Sequence, residues 1–175
     1  MADVKSAANP LFLREEELRQ GIELLYFAYR DFTAESDAML ARYGFGRAHH
    51  RVVYFVGRHP QMSVSDLLGI LRITKQSLSR VLGQLVRQGF ILQKPGKSDR
   101  RQRLLELTEK GLELERQLSE LQRQRIAKAY REAGAQAVEG FRKVMTGIIG
   151  GEEDRQRFER NVPAGRPERV NDGSR

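Results

Sequence analysis

Residues 71–111 read LRITKQSLSRVLGQLVRQGFILQKPGKSDRRQRLLELTEKG, and two periodicities meet inside that stretch. Leu78, Val81, Leu82, Leu85 and Val86 fall at i, i+3, i+4, i+7 and i+8, the apolar stripe of an amphipathic helix. Thr74 stands ahead of it as an N-cap, and Gly89 behind it as the residue that tolerates a left-handed stop. The opposite face carries Lys75, Gln76, Ser79, Arg80 and Gln84, side chains able to hydrogen-bond base edges and phosphates. From Phe90 onward the period shortens. FILQK over 90–94 and RLLEL over 103–107 read as strands, Pro95-Gly96 opens the turn, and KSDRRQR crowds the connection with cations. A polar-faced helix followed by a basic hairpin is a winged helix-turn-helix in outline. The helix has the width of a major groove, and the hairpin tip can reach a neighbouring minor groove.

Charge follows the same stretch. The 175-residue chain has a formal net charge of +8. Arg72, Lys75, Arg80, Arg87, Lys94, Lys97, Arg100, Arg101 and Arg103 lie between 72 and 103 against Asp99 alone, so this segment matches the whole excess and the rest balances. Clustering of that kind points to a polyanionic partner.

Asp99-x-Arg101 followed by Leu107-Thr108-x-x-Gly111 resembles the wing signature of the MarR family of bacterial transcriptional regulators. TKQSLSRVLGQLVRQGFI ahead of it resembles that family's recognition helix and first wing strand. The resemblance covers about residues 15–150. It implies a mainly α fold with a small β-wing, in which a winged helix-turn-helix domain and a helical dimerisation domain form an intertwined homodimer. It also implies a transcriptional regulator modulated by small, often aromatic or anionic ligands held between the dimer helices and the DNA-reading lobe, and a place for Asp99 in orienting Arg101 or tightening the wing turn.

Working outward, Ser63 caps a helix bearing Val64, Leu67, Leu68 and Leu71, with Asp66 at its N3 position, and Gln61-Met62 forms a short strand that pairs with the wing. A helix over 47–58 sets Val52, Phe55 and Val56 inward and ends at His59-Pro60. Before it, a helix over 15–43 carries Leu18, Ile22, Leu25, Tyr29, Phe32, Ser36, Met39 and Tyr43 in alternating steps of four and three, widened by Leu24, Tyr26, Phe27 and Ala28. A helix apolar on more than one face has more than one packing partner, and a second copy of the chain is a natural one. Beyond the wing, Thr108 caps a helix reaching 133, and another follows over 135–149 with Val138, Phe141, Met145 and Ile148 on one side. The expected organisation is an N-terminal arm over 1–14, dimerisation helices over 15–46 and 108–149, the DNA-binding domain over 47–107, and a charged, Gly- and Pro-rich disordered tail over 150–175.

On DNA, a two-fold dimer would address an imperfect palindrome with its recognition helices roughly 34–36 Å apart. Thr74, Lys75, Gln76, Ser77, Ser79 and Arg80 lie near the helix start, where bases are contacted; Arg80 suits guanine and Gln76 adenine. For Thr74 at the cap and for Ser77, phosphate or structural roles are as open as base reading. Arg101 is the residue for the minor groove, with Lys97, Arg100 and Arg103 on phosphates. Tyr26, Arg30, His49 and Tyr54 are the candidates for a ligand crevice, although core packing is the commoner use of such aromatic and histidine positions. No third ligand gives His49 and His50 a metal-site spacing.

No cysteine is present, which removes disulfides, thiolate zinc sites and thiol-based sensing together. No apolar run reaches membrane-spanning length, and MADVKSAANP lacks a signal-peptide core, so a cytoplasmic protein, on the nucleoid when bound, is expected. No Gly-rich phosphate loop, nucleophile set or carboxylate pair suggests an enzyme, and no cofactor is implied. Two rivals stay open at this level: a non-specific architectural DNA-binding protein, and a winged-helix module that binds another protein.

Overall fold

A computed structural model of the chain describes residues 11–96 and 99–161. After a 3-10 turn at Leu11–Leu13 come α1 (Glu15–Ala41), α2 (Arg47–Arg58), β1 (Met62–Ser63), α3 (Val64–Leu71), α4 (Lys75–Arg87), β2 (Ile91–Pro95), β3 (Arg103–Leu107), α5 (Glu109–Ala133), α6 (Ala135–Ile148) and α7 (Glu152–Asn161). The chain divides into two compact units, Met1–Ala127 and Lys128–Arg175.

In the first unit, β3 is the central strand of an antiparallel sheet ordered β1-β3-β2. Ile91 pairs with Leu107 and Pro95 with Arg103, while Met62 pairs with Leu105. The core gathers Leu40 of α1, Val52, Val53 and Val56 of α2, Leu67 of α3, Leu78, Val81, Leu82 and Leu85 of α4, Phe90, Ile91, Leu105, and Leu114 and Leu118 of α5. The predicted stripe of α4 is therefore the buried one, except that Val86 at its end is exposed.

Local signals fix the boundaries. Ser63 and Asp66 close a reciprocal capping box, with Asp66 N–H donating to Ser63 Oγ at 3.1 Å and Ser63 N–H to Asp66 Oδ2 at 3.2 Å. α1 and α4 stop in the same way. Gly44 (φ 70°) and Gly89 (φ 76°) take the left-handed conformation that a glycine adopts without a Cβ penalty. Phe45 N–H then donates to Leu40 O at 3.1 Å and Gly44 N–H to Ala41 O at 3.0 Å; Phe90 N–H donates to Leu85 O at 2.8 Å and Gly89 N–H to Val86 O at 3.0 Å. Both are Schellman motifs. Phe90 is thus the residue that ends α4, not the first of the strand expected over 90–94.

The Leu107-Thr108-x-x-Gly111 motif has a packing reason. Thr108 N–H donates to Phe90 O at 3.1 Å, its hydroxyl donates to Gly89 O at 2.6 Å, and Gly111 N–H donates to Thr108 Oγ1 at 3.0 Å, which caps α5. The first turn of α5 lies so close to the backbone just ahead of β2 that a Cβ at Gly111 would sit 2.1 Å from Phe90 O.

α1 is divided along its length. Thr33, Ser36 and Leu40 in its second half are buried, whereas Leu18, Ile22, Leu24, Leu25, Tyr26, Phe27 and Tyr29 in its first half are all exposed in the single chain. In the second unit, α6 likewise exposes Phe141, Val144 and Ile148, and Tyr130 meets Phe141 edge-on with centroids 6.0 Å apart. The tail expected to be disordered from 150 is helical over Glu152–Asn161. Glu152, Glu153 and Asp154 occupy its first turn, where they complement the helix dipole, and Glu153 pairs with Arg157 one turn on. Composition alone hides such local spacing. The rest of that tail, 162–175, and residues 1–10 of the expected arm lie outside the described residues.

Gly111→Ala should destabilise the protein by about 2 kcal/mol or more, because backbone must move to admit the methyl group; urea unfolding would measure it. A second expectation concerns pH. Burial pushes the His50 imidazole below its ordinary value of 6.5, Arg51 reinforces that, and Asp37 and Glu115 oppose it. The unfolded chain then takes up the proton more readily than the folded one. The stability that neutral His50 provides is complete above about pH 6.5 and is lost as pH falls below it. His50→Gln should flatten that slope in unfolding curves recorded between pH 5 and about 7.

Candidate nucleic-acid interface

The candidate surface is built on α4. Thr74 accepts Ser77 N–H at 3.1 Å and donates its hydroxyl proton to Ser77 Oγ at 2.9 Å, so the two hydroxyls form the N-cap and are engaged with each other. The preceding residue but one, Arg72, closes α3 in the left-handed conformation (φ 50°) and brings the chain round into α4. Lys75, Gln76, Ser79 and Arg80 are exposed along the first two turns and spend none of their side-chain hydrogen-bonding capacity within the described residues.

Gln84 is different. The helical pattern places it with that outer face, but its amide oxygen lies 2.6 Å from His49 Nε2 on α2, and the residue is half-buried. His49 Nδ1 accepts Gly46 N–H at 3.1 Å, so its ring proton sits on Nε2 and Nε2 donates to Gln84 Oε1. The ring stacks on Phe45 at 4.6 Å with an interplanar angle of 11°. No period in the sequence announces this contact, because a histidine from another helix makes it.

The wing turn is drawn tight by its own backbone. Asp99 Oδ1 accepts Arg101 N–H at 2.9 Å, Gln102 N–H donates to Asp99 O at 3.1 Å, and Gly96 N–H donates to Gln102 O at 3.0 Å. Asp99 therefore grips the backbone of Arg101 and not its guanidinium. A Cβ on Gly96 would lie 2.6 Å from Asp99 O, so glycine is required there. Arg100, Arg101 and Arg103 are exposed and make no ion pair within the described residues; Lys97 lies outside them. At the other end of the hairpin, Glu106 accepts hydrogen bonds from Lys94 and Gln61, and the Lys94 ammonium holds its carboxyl below the usual range.

The residues considered for a ligand crevice are each engaged with neighbours in the fold. Tyr26 is exposed and meets Phe27 edge-on, Arg30 lies over Phe27 and pairs with Asp31, and Tyr54 packs edge-on against Phe55. His49 has both ring nitrogens committed inside the fold. Sequence reasoning passed over Arg47 and Arg51 on α2, which converge on Tyr29 of α1. Arg47 lies 5.4 Å from the ring centroid and Arg51 donates to its hydroxyl at 2.9 Å.

Residues 43–102 match the family model described as MarR family. The chain is also 51% identical over 139 residues to the HTH-type transcriptional regulator PetP of Rhodobacter capsulatus, a match spanning 79% of this chain and 84% of that one. The chain belongs to the MarR family. Its fold agrees with solved MarR-family structures. A Streptococcus pneumoniae FabT structure in complex with DNA superposes with a TM-score of 0.68 at 20% identity, covering 78% of this chain and 98% of that one. A MarR variant from E. coli complexed with operator DNA gives 0.60 at 19%, covering 81% and 99%. As a MarR-family protein the chain is a helix-turn-helix transcriptional regulator and not an enzyme. Among the described residues, no helix is long and apolar enough to cross a membrane.

Thr74→Ala should cost about 1 kcal/mol of stability through loss of the cap, while Thr74→Ser should keep most of it; paired denaturation curves would show the difference.

Proposed function

We propose that the chain works as a homodimer on a pseudo-palindromic operator, with α4 of each copy in a major groove and the wing in the adjacent minor groove. One observation carries the reading. Lys75, Gln76 and Arg80 of α4 and Arg100, Arg101 and Arg103 of the wing are exposed with no side-chain partner among the described residues, while Arg116, Arg123 and Arg125 on α5 are paired with Glu113, Glu120 and Glu35. Charge left unbalanced on one surface is the electrostatic footprint of a polyanion. Arg80 and Gln76 read base edges, Lys75 and Ser79 contact bases or phosphates, and Thr74 and Ser77 hold the helix start. Arg101 enters the minor groove, Lys97, Arg100 and Arg103 meet phosphates, and Asp99 sets the turn.

The exposed apolar half of α1 supports dimerisation, since seven large side chains there face water in one copy. On this reading 15–46 and 108–149 form the dimerisation domain and 47–107 the DNA-binding domain. Ligand modulation is typical of the family; Tyr26, Arg30 and Tyr54 remain its proposed contacts, and His49 passes to the core. The protein acts in the cytoplasm, on the nucleoid when DNA-bound.

Arg80→Ala and Arg101→Ala should each weaken operator binding at fixed salt by roughly ten-fold without lowering the melting temperature, and Arg100→Ala should lower the salt slope by about one. Unchanged affinity in a gel-shift titration would remove these residues from the interface. Ile22→Glu combined with Leu25→Glu should yield monomers in light scattering; persistence of the dimer would reject α1 as the interface.

A further inference from the structure

We propose that His49 is a positioning residue for operator recognition: through Gln84 it fixes the rotation of α4 about its own axis, so that the base-reading side chains one and two turns earlier are presented in register. The inference rests on the reading of α4 as the recognition helix.

α4 is held at its ends by contacts that do not fix its rotation from the middle. At the start, the Thr74–Ser77 cap is made within the helix and its approach. At the end, the Gly89 stop joins it to Phe90. Between these, the buried stripe of Leu78, Val81, Leu82 and Leu85 sets which face of α4 turns inward, but it touches none of the polar side chains of the outer face. The Nε2–H···Oε1 bond at 2.6 Å is directional, and it acts on Gln84, four residues beyond Arg80 and eight beyond Gln76. Recognition groups must be held to within about half an ångström to read base edges, so a small roll of the helix suffices to spoil them.

The other end of the bond is also fixed. The His49 ring cannot turn, because Nδ1 is held by Gly46 N–H and one face by Phe45. Phe45 and Gly46 belong to the short connection between α1 and α2. Gln88 Nε2, one turn beyond Gln84, reaches the same connection at Tyr43 O, at a longer 3.4 Å. The helix that reads DNA is therefore referenced to the end of α1.

The test is a double-mutant cycle read as operator affinity, random-duplex affinity and melting temperature in the full-length protein. His49→Asn keeps an acceptor for Gly46 N–H near the Nδ1 position but is too short to reach Gln84. His49→Gln can restore both contacts, as glutamine does at the N3 position of a capping box. Gln84→Met keeps the volume and removes the acceptor. His49→Asn and Gln84→Met should each lower operator affinity by roughly five- to tenfold and leave random-duplex affinity unchanged. The double variant should be no worse than the weaker single, and His49→Gln should recover most of the loss. Additive losses, equal losses on operator and random duplex, a defect in Gln84→Met alone, or wild-type discrimination in both singles would overturn the proposal. If His49→Asn fails to fold, Gln84→Met and His49→Gln decide it: an operator-specific loss in the first with retained affinity in the second supports it, and any other pairing rejects it. Arg80→Ala and Arg101→Ala run alongside. If they too leave binding unchanged, the reading of α4 and the wing falls; if they weaken it, only the role of His49 is at stake.

Discussion

Phe45 and Phe90 meet edge-on, their ring centroids 5.3 Å apart, and each is the residue that follows a left-handed glycine at the end of a helix. The long helix α1 and the helix α4 are therefore brought to a halt at one point. An edge-to-face aromatic pair adds only about 0.5–1.5 kcal/mol beyond its burial. Its importance is geometric. Tyr43 lies edge-on to Phe90 at 5.4 Å, His49 stacks on Phe45, and the start of α5 is bound to the backbone of Gly89 and Phe90 through Thr108. Four helices, α1, α2, α4 and α5, take their relative placement within the first unit from this cluster.

That arrangement explains why the family's wing signature extends past the wing. Thr108 and Gly111 lie after the hairpin and away from its tip. The threonine spends its hydroxyl on Gly89 O and its N–H on Phe90 O, and the glycine exists because no Cβ fits above Phe90 O. The motif describes how the hairpin returns to the helix it follows, which fixes where the wing cations stand relative to α4. Asp99 does the corresponding work at the tip by holding the Arg101 backbone.

Much of this was legible beforehand. The α4 stripe, the caps at Thr74 and Ser63, the stop at Gly89 and the third-strand pairing near Met62 all follow from period and local chemistry, because each is decided within a few residues. What escaped was decided by distant partners. Gln84 looks like an outer-face residue on a helical wheel, and only α2 turns it inward. Arg47 and Arg51 look like surface charges until Tyr29 of α1 comes alongside. α7 escaped for the opposite reason: its signals are local, at spacings of three and four, but they were averaged into a count of charged and small residues.

The same distinction bears on how such a protein could be controlled. The α1 surface that lacks cover in one copy and the α4 surface that lacks charge balance are far apart in sequence, yet the chain Phe45–His49–Gln84 joins the end of one helix to the middle of the other. A ligand shifts a regulator only by binding one arrangement better than another. If α4 takes its bearing from the end of α1 as proposed, the arrangements to compare are those that differ there. Moving Phe45 would disturb a stack, a cap and a hydrogen bond together, and packed interiors respond to such changes by switching between arrangements more readily than by yielding gradually. On that proposal, an effector lodged against the end of α1 would act on the α4 surface without touching it.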